Sequence, residues 1–338
     1  MSARTTTPPV QQERWQRELA AAVRCSKVLL ERLQLEPALL ASEEPIAKPA
    51  FPVMVPESYL QRMQPGDPRD PLLLQVLPRA DEQLRLPGFS VDAVGDLEAQ
   101  QTAGLLQKYH GRVLLITTGA CAIHCRYCFR QSFPYSGLPV TTEQWRKAIQ
   151  AIQADSSISE VILSGGDPLV LTDGRLEKLV QELEQIPHLQ RLRIHTRLPI
   201  VIPARVTTGL LQLLRRTRLQ PFIVIHANHA AELAGDCPAA VQRLVGQGIP
   251  VLNQAVLLRG VNDTVESLEQ LSLGLINLGV TPYYLHQLDR VHGTAHFEVP
   301  EVDGRQLIAA LAARVPGYAV PRYVREIRGA TGKTPVLP

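Results

Sequence analysis

Short apolar, β-branched runs alternate with amphipathic stretches along most of the chain. The runs lie at 112–118, 160–164, 192–196, 222–226, 250–256 and 282–287. Between them, apolar residues at helical spacing predict helices at about 142–153, 174–186, 206–216, 236–247 and 264–278. From the second run onward, successive runs are roughly 30 residues apart, the length of a strand–helix–strand unit. The pattern therefore predicts six parallel strands connected by helices.

Six such units are too few to close an eight-unit barrel, so we expect an α/β fold, an open partial (β/α)6 barrel. In that geometry chemistry collects at the C-terminal ends of the strands. Polar residues lie at the ends of four of the later predicted strands: His195 and Arg197, His226 with Asn228 and His229, Asn253 and Gln254, and His286 with Asp289. A lined cavity explains these residues better than a packed core does.

The residues ahead of these units carry weaker signals. Helical spacing predicts an amphipathic lead-in over 13–35, and a short helix is predicted at 57–64. Pro45, Pro49, Pro52 and Pro56 exclude a continuous helix between them. We therefore expect a mostly helical N-terminal extension, a partial-barrel core and a C-terminal segment that closes the site, at 1–104, 105–298 and 299–338.

Charge and composition exclude several function classes. The chain has 35 basic and 32 acidic residues, a balance that gives no indication of nucleic-acid binding. Its apolar runs are shorter than the ~20 residues that a membrane span needs. Residues 1–12 are polar and rich in Thr and Pro, without the apolar centre of a signal peptide. We expect a cytoplasmic protein that binds neither nucleic acid nor membrane.

Three of the five cysteines are clustered in a C-x3-C-x2-C spacing directly after the first predicted strand: Cys121, Cys125 and Cys128. This usage suits a metal site in a reducing compartment better than a disulfide framework. An iron–sulfur cube normally takes four cysteines, so three would leave one iron open to an outside ligand. The alternative is a structural zinc site with a distant fourth ligand or with His124, although no second cysteine pair exists. Cys25 and Cys237 stand alone, and we expect both to be structural thiols.

Two further stretches could contact a ligand. Ser164-Gly165-Gly166-Asp167 follows the second strand, where its glycines would let the backbone approach a ligand, or would simply form a strand–helix turn. The segment from Gly329 to Pro335 is not a phosphate loop, because the required glycine is Ile327 and no helix can follow. Its Lys333 could form a Schiff base with pyridoxal phosphate (PLP), or could be a solvated lysine.

The cysteine spacing resembles that of the radical S-adenosylmethionine (SAM) enzymes, and the chain from about residue 50 onward resembles lysine 2,3-aminomutase. The stretches that carry the resemblance are 105–112, 121–130, 164–169, 195–199, 253–263, 282–286, 317–321 and 332–335. Within that family the chain most resembles the branch that supplies β-lysine for elongation factor P. The sequence Tyr127-Cys128-Phe129-Arg130, the Tyr-Tyr-Leu-His at 283–286 and the short tail are features of that branch.

The resemblance implies three cofactors and a residue set for each. A [4Fe–4S] cluster would be bound by Cys121, Cys125 and Cys128, with SAM on the open iron. The residues implied for SAM are Gly165, Gly166, Asp167, His226 and Gln254. Lys333 would bind PLP covalently, and the PLP phosphate would be held by Lys108, Tyr109 and Arg112.

The resemblance also implies the substrate residues and the reaction. Arg130 would bind the carboxylate of L-lysine, and Asp289 with Glu326 would bind its ε-ammonium group. Glu326 stands where the family usually has Asp. The implied enzyme is an isomerase that moves the α-amino group of lysine to the β-carbon, giving (R)-β-lysine.

The implied partners are an external electron donor, elongation factor P and its lysyl-transferring enzyme. The family's tail cysteines for a structural zinc have no counterpart here, so a homo-oligomer remains open without zinc bridging. The alternatives are an aminomutase for another amino acid such as glutamate, and a non-catalytic iron–sulfur or zinc protein that binds elongation factor P. Paired carboxylates argue against an acidic substrate, because like charges repel.

Overall fold

Ten strands form one sheet in which each strand pairs with its neighbours in sequence order. The computed structural model describes residues 13–36, 52–135 and 142–337; the polar stretch at 1–12 and the prolines at 45 and 49 lie outside them. The strands are β1 (Gln100–Thr102), β2 (Leu105–Tyr109), β3 (Arg112–Thr118), β4 (Glu160–Gly165), β5 (Arg191–Thr196), β6 (Gln220–Ile225), β7 (Val251–Val256), β8 (Thr281–His286), β9 (Arg322–Arg325) and β10 (Thr334–Pro335).

Strands β3 to β8 are all parallel, and they are the six strands that the apolar runs predict. Each begins and ends within about two residues of its predicted bounds. All six residues of β4 are buried, as expected for a parallel strand covered on both faces. The predicted α/β class and the open partial barrel are confirmed.

Four short strands that the sequence did not reveal extend this parallel sheet at both edges. On one side β2 pairs antiparallel with β3, and β1 with β2. On the other side β9 runs parallel to β8, and β10 returns antiparallel to β9. Within the described residues no strand pairing joins β10 to β1, so the barrel stays open. Side-chain hydrogen bonds connect the two edges instead. Arg328 donates to Glu98, and the Tyr109 hydroxyl donates to Glu326.

The helices are α1 (Arg14–Ala20), α2 (Ser26–Arg32), α3 (Glu57–Leu60), α4 (Pro71–Leu74), α5 (Thr142–Ala154), α6 (Asp173–Glu184), α7 (Leu198–Val201), α8 (Thr208–Arg216), α9 (Cys237–Val245), α10 (Val265–Asn277) and α11 (Glu301–Ala312). The five predicted crossover helices correspond to α5, α6, α8, α9 and α10. At the N-terminus of α8 the Thr207 side chain caps the helix. Its hydroxyl accepts a 3.0 Å hydrogen bond from the Leu210 amide. No helix in the described residues combines the length and apolar character needed to cross a bilayer.

The amphipathic helical lead-in predicted over 13–35 consists of two helices, α1 and α2. Val23 pairs with Val55 through two backbone hydrogen bonds of 2.8 and 2.9 Å, which takes the residues between α1 and α2 out of helical conformation. The lead-in packs on the barrel, where the Arg205 guanidinium lies 4.8 Å from the ring centre of buried Trp15. Both parts share one continuous hydrophobic core.

Candidate active site

A cavity of about 330 Å³ lies at the C-terminal ends of the parallel strands. Every residue that the sequence assigned to a cofactor or to the substrate lines it: Lys108, Tyr109, Arg112, Cys121, Cys125, Cys128, Arg130, Gly165, Gly166, Asp167, His226, Gln254, Asp289, Glu326 and Lys333. These residues come from both edges of the sheet and from five of the parallel strands or the loops that follow them. The fold thus brings together side chains that are more than 200 positions apart.

The cysteine loop follows β3 and is held from outside by the N-terminal extension. The amides of His124 and Arg126 donate hydrogen bonds of 3.1 and 2.8 Å to the carbonyls of Met54 and Gln75. Burial raises the pKa of the Cys121 thiol and raises that of Cys128 to about 12. Without a metal these two thiols are protonated at neutral pH, and binding a metal would release their protons.

His124, which the zinc alternative would add to the three cysteines, lies outside the cavity that they line. Its Nδ1 atom lies 2.6 Å from the Pro52 carbonyl oxygen. Within the described residues no three His, Cys, Asp or Glu side chains converge on a single point.

The glycine turn after β4 packs directly on the chain that leads into the cysteine loop. Gly166 donates a 2.7 Å hydrogen bond to the Thr118 carbonyl, and Asp167 one of 2.8 Å to the Ala120 carbonyl. A Cβ on Gly166 would lie 2.1 Å from the Ala120 oxygen, and Gly165 has φ +122°. Both positions therefore require glycine, because a side chain would force the two backbones apart.

The Asp167 carboxylate is engaged by the protein itself. It accepts hydrogen bonds of 2.7 Å from the Thr196 hydroxyl and of 2.7 and 3.2 Å from the amides of Arg197 and Leu198 at the start of α7. A fourth bond of 3.0 Å comes from the Leu169 amide. Burial raises its pKa to about 6, although these hydrogen bonds oppose the shift. This carboxylate ties the end of β4 to the end of β5.

Lys333 reaches the cavity from the loop between β9 and β10, and its ammonium group forms an ion pair with Glu326. The other oxygen of Glu326 accepts a 2.7 Å hydrogen bond from the Tyr109 hydroxyl. Burial alone would raise the pKa of Glu326, but Lys333 holds it below its ordinary value. Burial raises the pKa of nearby Asp289 to about 6, opposed by the charge of Lys333. Lys108 lies 3.6 Å from the oxygen of Glu326 that Tyr109 contacts. Two carboxylates and two ammonium groups thus share this end of the cavity.

Two irregularities in the sheet place neighbouring residues on the same face. Successive side chains of a regular strand point to opposite faces, yet both Lys108 and Tyr109 line the cavity. The register of β2 against β3 shifts between Leu106 and Tyr109, which inserts one extra residue into β2. A similar shift between β7 and β8 accompanies the pair Tyr283 and Tyr284, which also line the cavity.

Asp96 is a site residue that sequence reasoning missed. It is buried and forms ion pairs of 2.6 Å with both Arg130 Nε and Lys108 Nζ. Burial alone would raise the pKa of Asp96, but Arg130 and Lys108 hold it below its ordinary value. No sequence signal could have found it, because it is a single carboxylate in a loop whose partners come from β2 and the cysteine loop.

Three histidines at strand ends also line the cavity: His195, His226 and His286. Burial lowers the pKa of each, to about 3 for His226, so all three are neutral at physiological pH. His226 is held in place by the Tyr127 hydroxyl, 3.1 Å from its Nε2 atom. The buried Nε2 atom of His195 has no hydrogen-bond partner in the structure as described, which is a position for a heteroatom of a ligand.

Comparisons with known proteins show which proteins this chain is similar to. The Radical SAM superfamily profile matches residues 115–230. L-lysine 2,3-aminomutase from Escherichia coli K12 is 46% identical over 328 residues, which cover 96% of this chain and 94% of that protein. The Haemophilus influenzae protein of the same name is 42% identical and covers 96% of both chains. Among solved structures, a radical SAM methyltransferase from Sphaerobacter thermophilus aligns with a TM-score of 0.45 and 20% identity, covering 68% of this chain and 72% of that one.

Proposed function

The chain belongs to the L-lysine 2,3-aminomutase family of radical SAM enzymes, which are isomerases, and on that premise we propose that it converts L-lysine to β-lysine. The observation that carries the proposal is the content of one cavity. Three cysteines, Lys333, a guanidinium and a pair of carboxylates all line it. A reaction that joins a cluster, a lysine-bound cofactor and a substrate with two charged ends needs this combination.

The cysteine loop fits a [4Fe–4S] cluster with one open iron. Its three partly buried cysteines line the cavity, and the packing of Gly165 and Gly166 on residues 118–120 fixes the path of the chain into the loop. SAM would lie between this loop, His226 and Gln254. Because the Asp167 carboxylate is already hydrogen-bonded, we expect the glycine turn to contact SAM through its main chain.

The opposite wall fits PLP. Lys333 would hold the cofactor through its ε-amino group, while Lys108 and Arg112 supply positive charge for a phosphate. Arg112 lies 4.8 Å from the ring centre of Tyr109, which orients the guanidinium. The unpaired Nε2 atom of His195 gives a further polar contact. When bound, PLP and the SAM-derived radical supply the chemistry of the 2,3 shift.

The protein's own part in the reaction is to hold lysine by both ends. Arg130 would bind the α-carboxylate through nitrogens other than the Nε that Asp96 holds. Asp289 and Glu326 would bind the ε-ammonium group. Glu326 is one methylene longer than the family's usual Asp, and its contact with Tyr109 fixes where its carboxylate lies. Held by both ends inside the cavity, the bound lysine would be removed from most of its contact with water while a radical is present.

Glutamate is the runner-up substrate, and the two carboxylates count against it. The side-chain carboxylate of glutamate would meet Asp289 and Glu326 instead of a cation. A non-catalytic protein that binds elongation factor P is the other alternative. Such a protein has no need for Lys333 and Arg130 in the same cavity as the cysteines.

Anaerobic reconstitution tests the proposal. The protein loaded with iron, sulfide and PLP should show the broad visible absorbance of a cluster and a separate band from bound PLP. The Lys333→Ala variant should lose the PLP band and keep that of the cluster. With SAM and a reductant, the wild-type protein should convert L-lysine to β-lysine and leave L-glutamate unchanged.

We further propose that the product is (R)-β-lysine for the modification of elongation factor P, in the cytoplasm, with an external electron donor. Support comes from the likeness of residues 127–130 and 283–286 to the branch of the family that serves this factor. Chiral chromatography of the product tests the stereochemistry. Mass spectrometry of elongation factor P from cells without this gene tests the link, since the factor should then lack its β-lysyl group.

A further inference from the structure

A buried arginine lies directly behind the cysteine loop. Arg197 follows β5, and its Nη1 atom donates a hydrogen bond to the Sγ atom of Cys125. The guanidinium is 5.6 Å from the ring centre of Tyr127 and 5.4 Å from that of Tyr59. The Arg197 residue is only 7% exposed, so its charge acts on the thiol through protein rather than through water.

The second nitrogen of this guanidinium is fixed by three acceptors. Arg197 Nη2 donates to Glu232 Oε2 at 2.7 Å, to Gln75 Oε1 at 2.9 Å and to the Tyr59 hydroxyl at 3.1 Å. Tyr59 and Gln75 belong to the N-terminal extension, so this segment reaches the cysteine loop through Arg197.

Glu232 is itself fully buried and fully bonded. Its Oε1 atom accepts hydrogen bonds of 2.9 Å from the Asn228 amide and 3.1 Å from the Gln75 side chain. Burial alone would raise its pKa, but Arg197 holds it below the ordinary value, so Glu232 is a carboxylate. A chain of charges therefore runs from Glu232 through Arg197 to Cys125. Neither charged residue lies among the groups assigned to SAM, PLP or the substrate.

We propose that Arg197 and Glu232 are positioning residues that set the reduction potential of the iron–sulfur cluster through Cys125. Reduction adds one negative charge to the cluster. A guanidinium that donates to a cluster thiolate stabilises the reduced form and raises the potential. The Glu232 carboxylate weakens this effect by neutralising part of the guanidinium charge, so the pair gives an intermediate value. The inference rests on the proposed cluster.

The two partners should therefore have opposite effects. Arg197→Gln removes the positive charge and should lower the potential. Glu232→Gln leaves the guanidinium without its counter-charge and should raise the potential. A shift that changes the ratio of reduced to oxidised cluster tenfold at a fixed potential corresponds to about 59 mV for one electron. We expect each variant to shift by roughly this much in its own direction.

The test is a redox titration followed by electron paramagnetic resonance on the anaerobically reconstituted full-length protein. Iron and sulfide content and thermal unfolding are measured for each variant, and Arg197→Lys, which keeps the charge, should stay closer to wild type than Arg197→Gln. If Arg197→Gln does not retain a cluster, Glu232→Gln still decides the sign: a higher potential supports the inference, and an unchanged or lower potential overturns it.

Opposite shifts for the two glutamine variants support the inference. Shifts in the same direction, or potentials equal to that of the wild type, overturn it. A purely structural role would not make the potential move in opposite directions in the two variants. Failure of the proposed function is a separate result. Wild-type protein that binds the cluster but does not isomerise lysine would remove the proposed function and leave the redox inference open to this test, whereas wild-type protein that binds no cluster would remove both.

Discussion

Lys333 and Glu326 form an ion pair at the mouth of the cavity, with the second oxygen of Glu326 bonded to Tyr109. In the proposed enzyme Glu326 binds the ε-ammonium group of the substrate. The chain's own ammonium group therefore occupies the position that the substrate needs. Arg130, which would bind the substrate carboxylate, is likewise paired within the protein. One of its guanidinium nitrogens forms an ion pair with the Asp96 carboxylate. Both charged contacts of the substrate are thus already paired within the protein.

The first prediction is that L-lysine binds weakly until Lys333 leaves Glu326. In the absence of PLP, the wild-type protein should show little stabilisation by L-lysine, and Lys333→Ala should show more. Ligand binding to the folded state raises the unfolding temperature by mass action, so a thermal-shift series at increasing lysine concentration measures the difference. D-glutamate serves as the control ligand. Equal shifts for the two proteins would show that Lys333 does not compete with the substrate.

The second prediction concerns Glu326→Gln. A hydrogen bond to a charged group contributes about 1.5–3 kcal/mol, so losing it should lower kcat/KM for lysine roughly 10- to 100-fold. The matched control is Glu301→Gln, which removes an exposed carboxylate paired with Arg325. This control should leave kcat/KM unchanged. Wild-type kinetics in Glu326→Gln would remove Glu326 from the substrate site.

The third prediction is a pH dependence set by Asp289. Burial raises the pKa of this carboxyl to about 6, so it is ionised at pH 7.5 and protonated below pH 6. Because the ammonium group binds the ionised form, KM for lysine should rise as the pH falls through about 6. Asp289→Asn should have a high KM for lysine that does not depend on pH around pH 6. Steady-state kinetics between pH 5 and pH 8 measures both, and a flat wild-type KM contradicts the assignment.

The fourth prediction concerns Asp96, which joins Arg130 to Lys108. Asp96→Asn leaves a buried guanidinium without its carboxylate, which should cost about 3 kcal/mol of unfolding free energy. The double variant Asp96→Asn with Lys108→Met should lose less unfolding free energy than the sum of the two single variants, because both residues belong to one network. Urea unfolding of the PLP-free wild type, both single variants and the double variant measures this difference.

A control for Asp96 lies in the same loop. Asp92 accepts hydrogen bonds of 3.0 Å from the amides of Asp96 and Leu97. Asp92→Asn breaks no ion pair and should cost only about 1 kcal/mol, the value of a typical hydrogen bond. A loss as large as that of Asp96→Asn would mean that loop geometry, rather than the ion pairs, accounts for the stability.

The parallel strands were predictable because each is a run of six or seven residues rich in apolar and β-branched side chains, with at least one face buried. Strands β1, β2, β9 and β10 were not, because they are two to five residues long and their pairing depends on the edges of an existing sheet. The break between α1 and α2 was missed for a similar reason. It depends on Val55, which lies 32 positions from its partner Val23.

The candidate site was predictable as far as its residues form motifs. The cysteine spacing identified one part of the site, and the resemblance around Lys333 identified another. The structure brings the cysteines and Lys333 together in one cavity. Asp96 and Glu232 belong to no motif. Their roles depend on ion pairs with basic residues that are distant in sequence and adjacent only in the fold. The shift in β2 that turns both Lys108 and Tyr109 inward was also invisible, because a strand's register depends on its partner.

The central claim is that one cavity isomerises lysine with the cluster, SAM and PLP together. The most direct measurement is anaerobic incubation of the reconstituted protein with L-lysine, SAM and a reductant, followed by chromatography of the amino acids. The account predicts β-lysine from the wild-type protein, and none from Lys333→Ala or from a variant that lacks Cys125. Turnover of L-glutamate alone, or no isomerisation by protein that carries both the cluster and PLP, would contradict it.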